Sequence, residues 1–300
     1  MRPRIVVFAY NEVGYVCLEE LLRRGADVVA LFTYDDDPGE EIWFRSVKDL
    51  AERRGLAVFT PSRLDGTWKE RIAALAPDLI LSFYYRSLIG TDVLSLARLG
   101  AFNIHGSLLP RYRGRACVNW AIVNGETTTG ATLHEMVARA DAGRIVDREP
   151  VPIGPDETAH DVFLKVAEAA RTLVARNLDA LESGTAPLYA QDETKATLFG
   201  RRGPEDGLID WNLPARSIHN LVRAVTRPYP GAFTFAEGRK LFVWKTAVVD
   251  EESPSEAGRV TSLDPLVVAA SSGNLQILSA SFEDGSSPSS SLRPGQRLGQ

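Results

Sequence analysis

The sequence contains little cysteine, histidine or methionine, and it has no long apolar run. Its 300 residues include two cysteines and four histidines. Cys17 and Cys117 lie too far apart to suggest a disulfide framework, and the histidines lack the spacing of metal ligands. No stretch reaches the roughly 20 apolar residues of a membrane-spanning helix, and the first residues contain no signal-peptide core. We therefore expect a cytoplasmic protein with no membrane partner and no catalytic metal.

Excess basic charge is also missing. The formal net charge is -5 and the isoelectric point is near 5.5, which disfavours a nucleic-acid partner on electrostatic grounds. The turn after the first apolar run contains only Gly14 where a dinucleotide-binding fingerprint needs three glycines. This argues against a nicotinamide-dependent oxidoreductase. The hydrophobic content of 44% is sufficient for one large domain or two ordinary ones.

Apolar runs alternate with amphipathic stretches over the first 150 residues. The predicted strands are Arg4–Tyr10, Asp27–Tyr34, Ala57–Thr60, Leu79–Tyr85, Ala101–His105 and Thr129–Val137. The predicted helices between them are Glu12–Arg24, Ser46–Arg54 and Thr67–Ala76. This alternation is typical of an α/β fold with a Rossmann-like, mostly parallel, doubly wound sheet. Ligands of such folds bind at the carboxyl edge of the sheet, where we expect the functional residues.

The second half of the sequence changes character. A long helix is predicted over Ala159–Leu181, and the polar stretch from Gln191 to Lys195 has the composition of a linker. After a helix over Ala215–Ala224, closely spaced short apolar runs predict a small β-barrel. We therefore expect a domain over residues 1–188, a linker over 189–204 and a second domain over 205–300.

Asn103 and His105 are the most informative residue pair. They sit two apart at the end of a predicted strand, so their side chains point to the same side of the sheet. An amide that stabilises an oxyanion, beside an imidazole that moves a proton, is what acyl transfer needs. Taken singly, each residue is more typical of a structural role.

A third polar residue, Asp141, follows the predicted strand Thr129–Val137. A carboxylate beside His105 would fix the tautomer of its ring, as in hydrolytic triads. Spacing alone favours a turn residue before Gly143. His134, on the same strand, is a further candidate for lining the pocket.

Three sequence blocks resemble one known family. They read FNIHGSLLPRYRGRA, NGETTTGATLHEMVARADAG and FGRRGPEDGLIDW. These blocks resemble the formyltetrahydrofolate-dependent formyltransferases, which carry an Asn-x-His…Asp signature. The resemblance implies that Asn103, His105 and Asp141 are catalytic. It also implies that the domain over 205–300 is OB-like and that residues 1–188 form the catalytic domain.

The resemblance also implies the ligands and the residues that bind them. The co-substrate would be 10-formyltetrahydrofolate, without a metal. The implied cofactor-binding residues are Ser87, Leu88, Ile89, Arg115, Val137, Ala138, Arg139, Ala140 and Asp141. The candidate acceptor-binding residues are Tyr10, Asn11, Arg111 and Arg113, of which the two arginines suit phosphate groups.

The acceptor is expected to be a nucleotide-linked amino sugar. The blocks VVFAY and SFYYR resemble the formyltransferases that act on UDP-4-amino-4-deoxy-L-arabinose in lipid A modification. Two alternatives stay open from the sequence: methionyl-tRNA as the acceptor, and a catalytically silent folate-binding protein. The sequence leaves open the oligomeric state, and whether the chain stands alone or is one domain of a bifunctional enzyme.

Overall fold

The computed structural model describes residues 2–37, 39, 41–250, 255–288 and 291–299. The polypeptide divides into two compact units. The first consists of Met1–Cys117, Thr128–Pro152 and Phe163–Phe199, and the second of Val118–Thr127, Ile153–Val162 and Gly200–Gln300. The chain therefore passes between the units several times. The predicted domain boundaries at 188 and 204 stay a prediction, and the outermost predicted limits, 1 and 300, lie outside the described residues.

The first unit is built on a seven-stranded sheet. Its strands are β1 (Arg4–Ala9), β2 (Asp27–Phe32), β3 (Ala57–Phe59), β4 (Leu79–Phe83), β5 (Ala101–His105), β7 (Thr128–Glu135) and β8 (Ile145–Pro152), in the order β3-β2-β1-β4-β5-β7-β8. The five strands from β3 to β5 pair in parallel. This confirms the α/β fold with a mostly parallel sheet. A short parallel pair joins β6 (Arg113–Gly114) to β9 (Leu198–Phe199).

The α-helices of the described residues follow the apolar periodicity and the capping residues. They are α1 (Asn11–Arg23), α2 (Val47–Arg53), α3 (Gly66–Ala74), α4 (Thr91–Leu94), α5 (Cys117–Val123), α6 (Ala159–Ser183) and α7 (Ala215–Val225). The side chain of Ser46 caps α2, and that of Asp65 caps α3. Each accepts a hydrogen bond from a backbone N–H that has no partner within its helix. These caps explain why both helices begin where the sequence predicts them, to within a residue.

One feature of the sheet was not predicted. Strand β8 pairs antiparallel with β7, and β7 pairs antiparallel with β5. Because β7 runs opposite to β5, its last residue lies beside the start of β5. The loop that follows β7 must therefore return along the sheet before Asp141 can approach His105.

The second unit contains a five-stranded antiparallel sheet. Its strands are β10 (Ala232–Ala236), β11 (Arg239–Asp250), β12 (Val260–Leu263), β13 (Leu266–Ala269) and β14 (Asn274–Phe282), in the order β10-β11-β14-β13-β12. The predicted β-rich C-terminal region is thus confirmed. Within the described residues, no helix combines the length and apolar character needed to span a membrane.

Candidate active site

Three polar side chains share one face of the sheet at β5 and β7. Asn103 and His105 are two apart on β5, and His134 is the direct cross-strand partner of Asn103. The alternation of side chains along strands therefore places all three on the same face. The Asn103 Nδ2 atom lies 3.1 Å from His134 Nε2. The predicted pairing of Asn103 with His105 on one face is present in the structure, and His134 joins it.

The His105 ring is held in one tautomer by the backbone. Its Nε2 atom lies 2.7 Å from the carbonyl oxygen of Tyr112. A carbonyl oxygen only accepts hydrogen bonds, so Nε2 carries the hydrogen and Nδ1 bears the lone pair in the neutral ring. This lone pair faces Asp141 Oδ1 across 3.5 Å. His105 is thus arranged to take up a proton at Nδ1.

Asp141 completes the group from the loop after β7. One carboxylate oxygen, Oδ2, accepts a hydrogen bond of 2.9 Å from the backbone N–H of Gly114. The other, Oδ1, lies 3.5 Å from His105 Nδ1 and 3.7 Å from His134 Nε2. The Asp141 side chain is only 13% exposed, so its charge acts on His105 with little screening by water. The structure therefore brings the three predicted catalytic residues together.

His134 is a site residue whose role the sequence did not assign. Its Nδ1 atom lies 2.7 Å from the carbonyl oxygen of Glu135, so Nδ1 carries the hydrogen and Nε2 accepts from the Asn103 amide. Burial lowers the pKa of His134 to about 4, so the ring is neutral near pH 7 and stays an acceptor. The sequence signal was its position on the strand before Asp141, but only the register with β5 reveals its partner.

The buried His134 makes the stability of the fold depend on pH. Between pH 6.5 and about 4, the unfolded chain binds a proton at this ring that the folded chain does not. The free energy of unfolding should therefore fall as the pH falls through this window. We expect His134→Gln, which keeps an acceptor for Asn103, to lose less stability than the wild type between about pH 7 and about pH 5. Denaturant unfolding at both pH values measures this, and equal losses in the two proteins would contradict it.

Eight of the nine predicted folate-binding residues, all except Arg115, lie on two loops of the first unit. Ser87, Leu88 and Ile89 follow β4, and Val137 to Asp141 follow β7. Leu88 is 79% exposed and Val137 is 44% exposed, so both loops offer apolar surface to a ligand. The backbone N–H of Ser87, however, donates to Tyr34 Oη at 3.0 Å. That donor is engaged within the fold, so the predicted contact of Ser87 with the cofactor would have to use its other atoms.

Arg113 has a different role from the one predicted. Its side chain is 2% exposed and forms an ion pair with Glu193 at 2.6 Å. The same guanidinium donates to Gln191 Oε1 at 2.7 Å. The prediction that Arg113 contacts a substrate phosphate therefore needs correction. The Arg113 guanidinium is buried and engaged by these two side chains. Arg111 and Arg115 are exposed, and their predicted ligand contacts stay predictions.

Tyr10 and Asn11 also have roles within the fold. Tyr10 is 2% exposed, and its ring makes edge contacts with Tyr34 and Phe44. The Asn11 side chain accepts from the backbone N–H of Val13 at 3.0 Å, which satisfies a donor in the first turn of α1. These contacts leave the predicted binding of the acceptor by Tyr10 and Asn11 without support.

The site offers the groups for acyl transfer at an amine. Asn103 supplies a neutral donor, His105 a proton acceptor and Asp141 a charge that stabilises the protonated ring. Among the described residues, no three or more His, Cys, Asp or Glu side chains are grouped so as to hold a metal ion.

Comparison with known proteins identifies the class. Residues 4–178 match the family model described as formyl transferase, and residues 202–291 match that of the formyl transferase C-terminal domain. The chain belongs to the formyl transferase family and is a formyltransferase.

Solved structures with the same fold include several N-formyltransferases. An N-formyltransferase from Helicobacter canadensis, in complex with folinic acid and dTDP-3-aminofucose, has a TM-score of 0.73 at 20% identity, over 92% of this chain and 99% of that one. A sugar 3-N-formyltransferase solved with dTDP and 5-N-formyltetrahydrofolate has a TM-score of 0.70 at 19% identity, over 93% and 98%. A 4-N-formyltransferase from Francisella tularensis has a TM-score of 0.66 at 22% identity, over 80% and 96%. At these identities the similarity establishes the fold.

Proposed function

We propose that this protein transfers the formyl group of 10-formyltetrahydrofolate to the primary amine of a nucleotide-linked amino sugar, UDP-4-amino-4-deoxy-L-arabinose. The observation that carries the proposal is the cluster of Asn103, His105 and Asp141 around the end of β5 in a formyl transferase fold. Their distances and tautomers support a proton-transfer site beside an oxyanion donor.

In this mechanism Asn103 stabilises the charge that develops on the formyl oxygen. Its Nδ2 atom carries two hydrogens, one of which is donated to His134. The second is the donor that we assign to the formyl oxygen, which gains negative charge as the amine attacks the formyl carbon. Because the first hydrogen bond fixes the plane of the amide, Asn103 needs little reorganisation during the reaction.

His105 and Asp141 handle the proton. His105 takes a proton from the attacking amine at Nδ1 and returns it to N10 as the bond between N10 and the formyl carbon breaks. The Asp141 carboxylate, held by the backbone of Gly114, stabilises the imidazolium while the proton is on the ring. The Tyr112 carbonyl keeps the ring in the same orientation throughout, because Nε2 donates to it in both protonation states.

The residues present fit the proposed co-substrate. When bound, 10-formyltetrahydrofolate supplies the activated formyl carbon. Leu88 and Val137 expose apolar side chains on the two loops assigned to it, which suits the faces of a flat ring system. A site made of one amide, one imidazole and one carboxylate suits transfer of an uncharged formyl group without a metal.

Two observations support a nucleotide sugar as the acceptor. The similar structures from Helicobacter canadensis and of the sugar 3-N-formyltransferase contain a dTDP-sugar or dTDP, and the blocks VVFAY and SFYYR resemble enzymes acting on UDP-4-amino-4-deoxy-L-arabinose. The net charge of -5 disfavours methionyl-tRNA, because affinity for nucleic acid depends on neutralising phosphates.

An acceptor panel tests the proposal. The protein is incubated with 10-formyltetrahydrofolate and, separately, with UDP-4-amino-4-deoxy-L-arabinose, a dTDP-linked 3-amino sugar and charged initiator tRNA. We expect mass spectrometry to find the added carbonyl on the UDP-linked sugar at the highest kcat/KM. Preferential formylation of the dTDP sugar would overturn the assigned acceptor, and preferential formylation of the tRNA would overturn the class of acceptor.

A further inference from the structure

Residues 189–199 include the polar stretch from Gln191 to Lys195, which has the composition of a linker. They form hydrogen bonds with the backbone segments that carry the candidate catalytic residues. Tyr189 exchanges two backbone hydrogen bonds with Ile145, of 2.7 and 2.8 Å. Nine residues later begins β9, which pairs with β6. Between these two attachments, the segment contacts the loop that carries Asp141 and the loop that orients His105.

Gln191 holds the loop of Asp141. Its Nε2 atom donates to the carbonyl oxygens of Asp141 at 2.8 Å and of Gly143 at 2.7 Å. Its Oε1 atom accepts from the buried guanidinium of Arg113. One side chain therefore connects the Asp141 loop to the β6 strand, whose Gly114 N–H holds the Asp141 carboxylate. Glu193 in turn neutralises Arg113.

Thr197 holds the backbone that orients His105. Its Oγ1 atom accepts from the backbone N–H of Tyr112 at 2.8 Å, and the Tyr112 ring stacks on that of Phe199 with centroids 4.9 Å apart. The carbonyl of Tyr112 is the group that fixes the His105 tautomer. Both residues that handle the proton thus depend on contacts made by the same segment.

Backbone strain explains why such support is needed. Asp141 has φ of 57° and Tyr112 has φ of 58°. Residues other than glycine rarely adopt this backbone conformation. Strained residues persist only where surrounding contacts determine their conformation. The contacts from Gln191 and Thr197 are made to these two residues.

We propose that residues 189–199 act as a positioning segment for the catalytic centre and that Gln191 is its positioning residue, which sets the place of the Asp141 carboxylate relative to His105. This inference rests on the proposed function, since it assigns Gln191 a part in the same formyl transfer. Gln191 acts through Asp141 and needs no contact with either substrate.

Gln191→Glu tests the proposal, because it keeps the shape and the acceptor for Arg113 but replaces the donor that faces two carbonyl oxygens. We expect kcat to fall roughly 10- to 100-fold, since displacement of a catalytic group by about 1 Å has effects of this size. The KM for the amine should change little, because Gln191 is not assigned to its binding. Lys195→Ala is the matched control in the same segment. The Lys195 ammonium pairs with its near neighbour Asp192, and the substitution should keep wild-type kcat.

A double mutant separates positioning from a general loss of structure. If Gln191 acts through the Asp141 carboxylate, Gln191→Glu should lower kcat much less in an Asp141→Asn background than in the wild type. The proposal would be overturned if the fold-loss in kcat of the double mutant equalled the product of the losses of the two single mutants. It would also be overturned if Gln191→Glu had the same kcat as the Lys195→Ala control.

A measurement without turnover distinguishes this proposal from the proposed function. Nitrogen NMR of the histidine rings in the free protein should show a changed His105 Nδ1 resonance in Gln191→Glu, with His219 of the second unit unchanged. Unchanged His105 resonances would overturn the positioning role, whatever the activity. Failure of the wild type to formylate any acceptor, with the His105 resonance still shifted by Gln191→Glu, would overturn the proposed function and leave the link from Gln191 to His105 standing.

Discussion

Asn103→Ala is expected to lower kcat about 10²- to 10³-fold, the usual cost of removing one oxyanion donor. The reason lies in the position of the Asn103 amide, which is fixed by His134 on β7 and lies on the same face as His105. The variant should still fold, because an alanine on this partly buried strand position removes an amide without adding bulk. Steady-state kinetics with 10-formyltetrahydrofolate and the amino-sugar nucleotide give kcat, and circular dichroism verifies folding.

Asn103→Asp is the informative companion variant. It has nearly the same shape, but a carboxylate replaces the donor with an acceptor and adds a negative charge where the formyl oxygen gains one. We expect Asn103→Asp to be at least as slow as Asn103→Ala, and Asn212→Ala, at an exposed asparagine, to retain wild-type kcat. A folded Asn103→Ala protein with near-normal kcat would show that the amide is not the oxyanion donor.

Gly114→Ala is expected to lower the free energy of unfolding by about 3 kcal/mol and to lower kcat as well. Gly114 has φ of 98°, a conformation that is strained for alanine, and an added Cβ would collide with the carbonyl oxygen of Phe199. The strands β6 and β9 would have to separate. Because the Gly114 N–H also holds Asp141 Oδ2 at 2.9 Å, this movement displaces the carboxylate. Denaturant unfolding and steady-state kinetics measure the two effects.

Gly55→Ala is the matched control for Gly114→Ala. Gly55 also has a positive φ, of 69°, but an added Cβ would meet nothing within 4 Å. Its substitution should therefore cost only the backbone strain, about 1 kcal/mol, with no change in kcat. Equal destabilisation by the two substitutions would show that the contact between Gly114 and Phe199 does not hold β6 in place.

The sequence predicts the elements that depend on local patterns. Alternating apolar runs predict β1 to β5 to within two residues at each end, because a strand in a buried parallel sheet is a short apolar segment between turn residues. The same period of two predicts that Asn103 and His105 share a face. The helix α6 (Ala159–Ser183) was predicted to within two residues at its end, where Gly184 stops it.

Other features depend on pairing between distant segments, which local patterns do not encode. Strand β8 carries the exposed Arg148 and the half-buried Glu149 and gives little apolar signal, and the antiparallel direction of β7 is set by its partners. The partner of His134, the burial of Arg113 and the attachment of residues 189–199 all follow from this long-range pairing. In particular, Arg113 has the sequence appearance of an exposed phosphate ligand, and its burial is compensated by the ion pair with Glu193 and the hydrogen bonds to Gln191.

The central claim is that Asn103, His105 and Asp141 transfer a formyl group to an amine. The most direct measurement is the yield of N-formylated UDP-4-amino-4-deoxy-L-arabinose, determined by mass spectrometry with 10-formyltetrahydrofolate as the donor, for the wild type and for folded Asn103→Ala and His105→Ala variants. The account predicts rapid formation of the formylated sugar by the wild type and loss of turnover in both variants. Equal rates in all three proteins would contradict it.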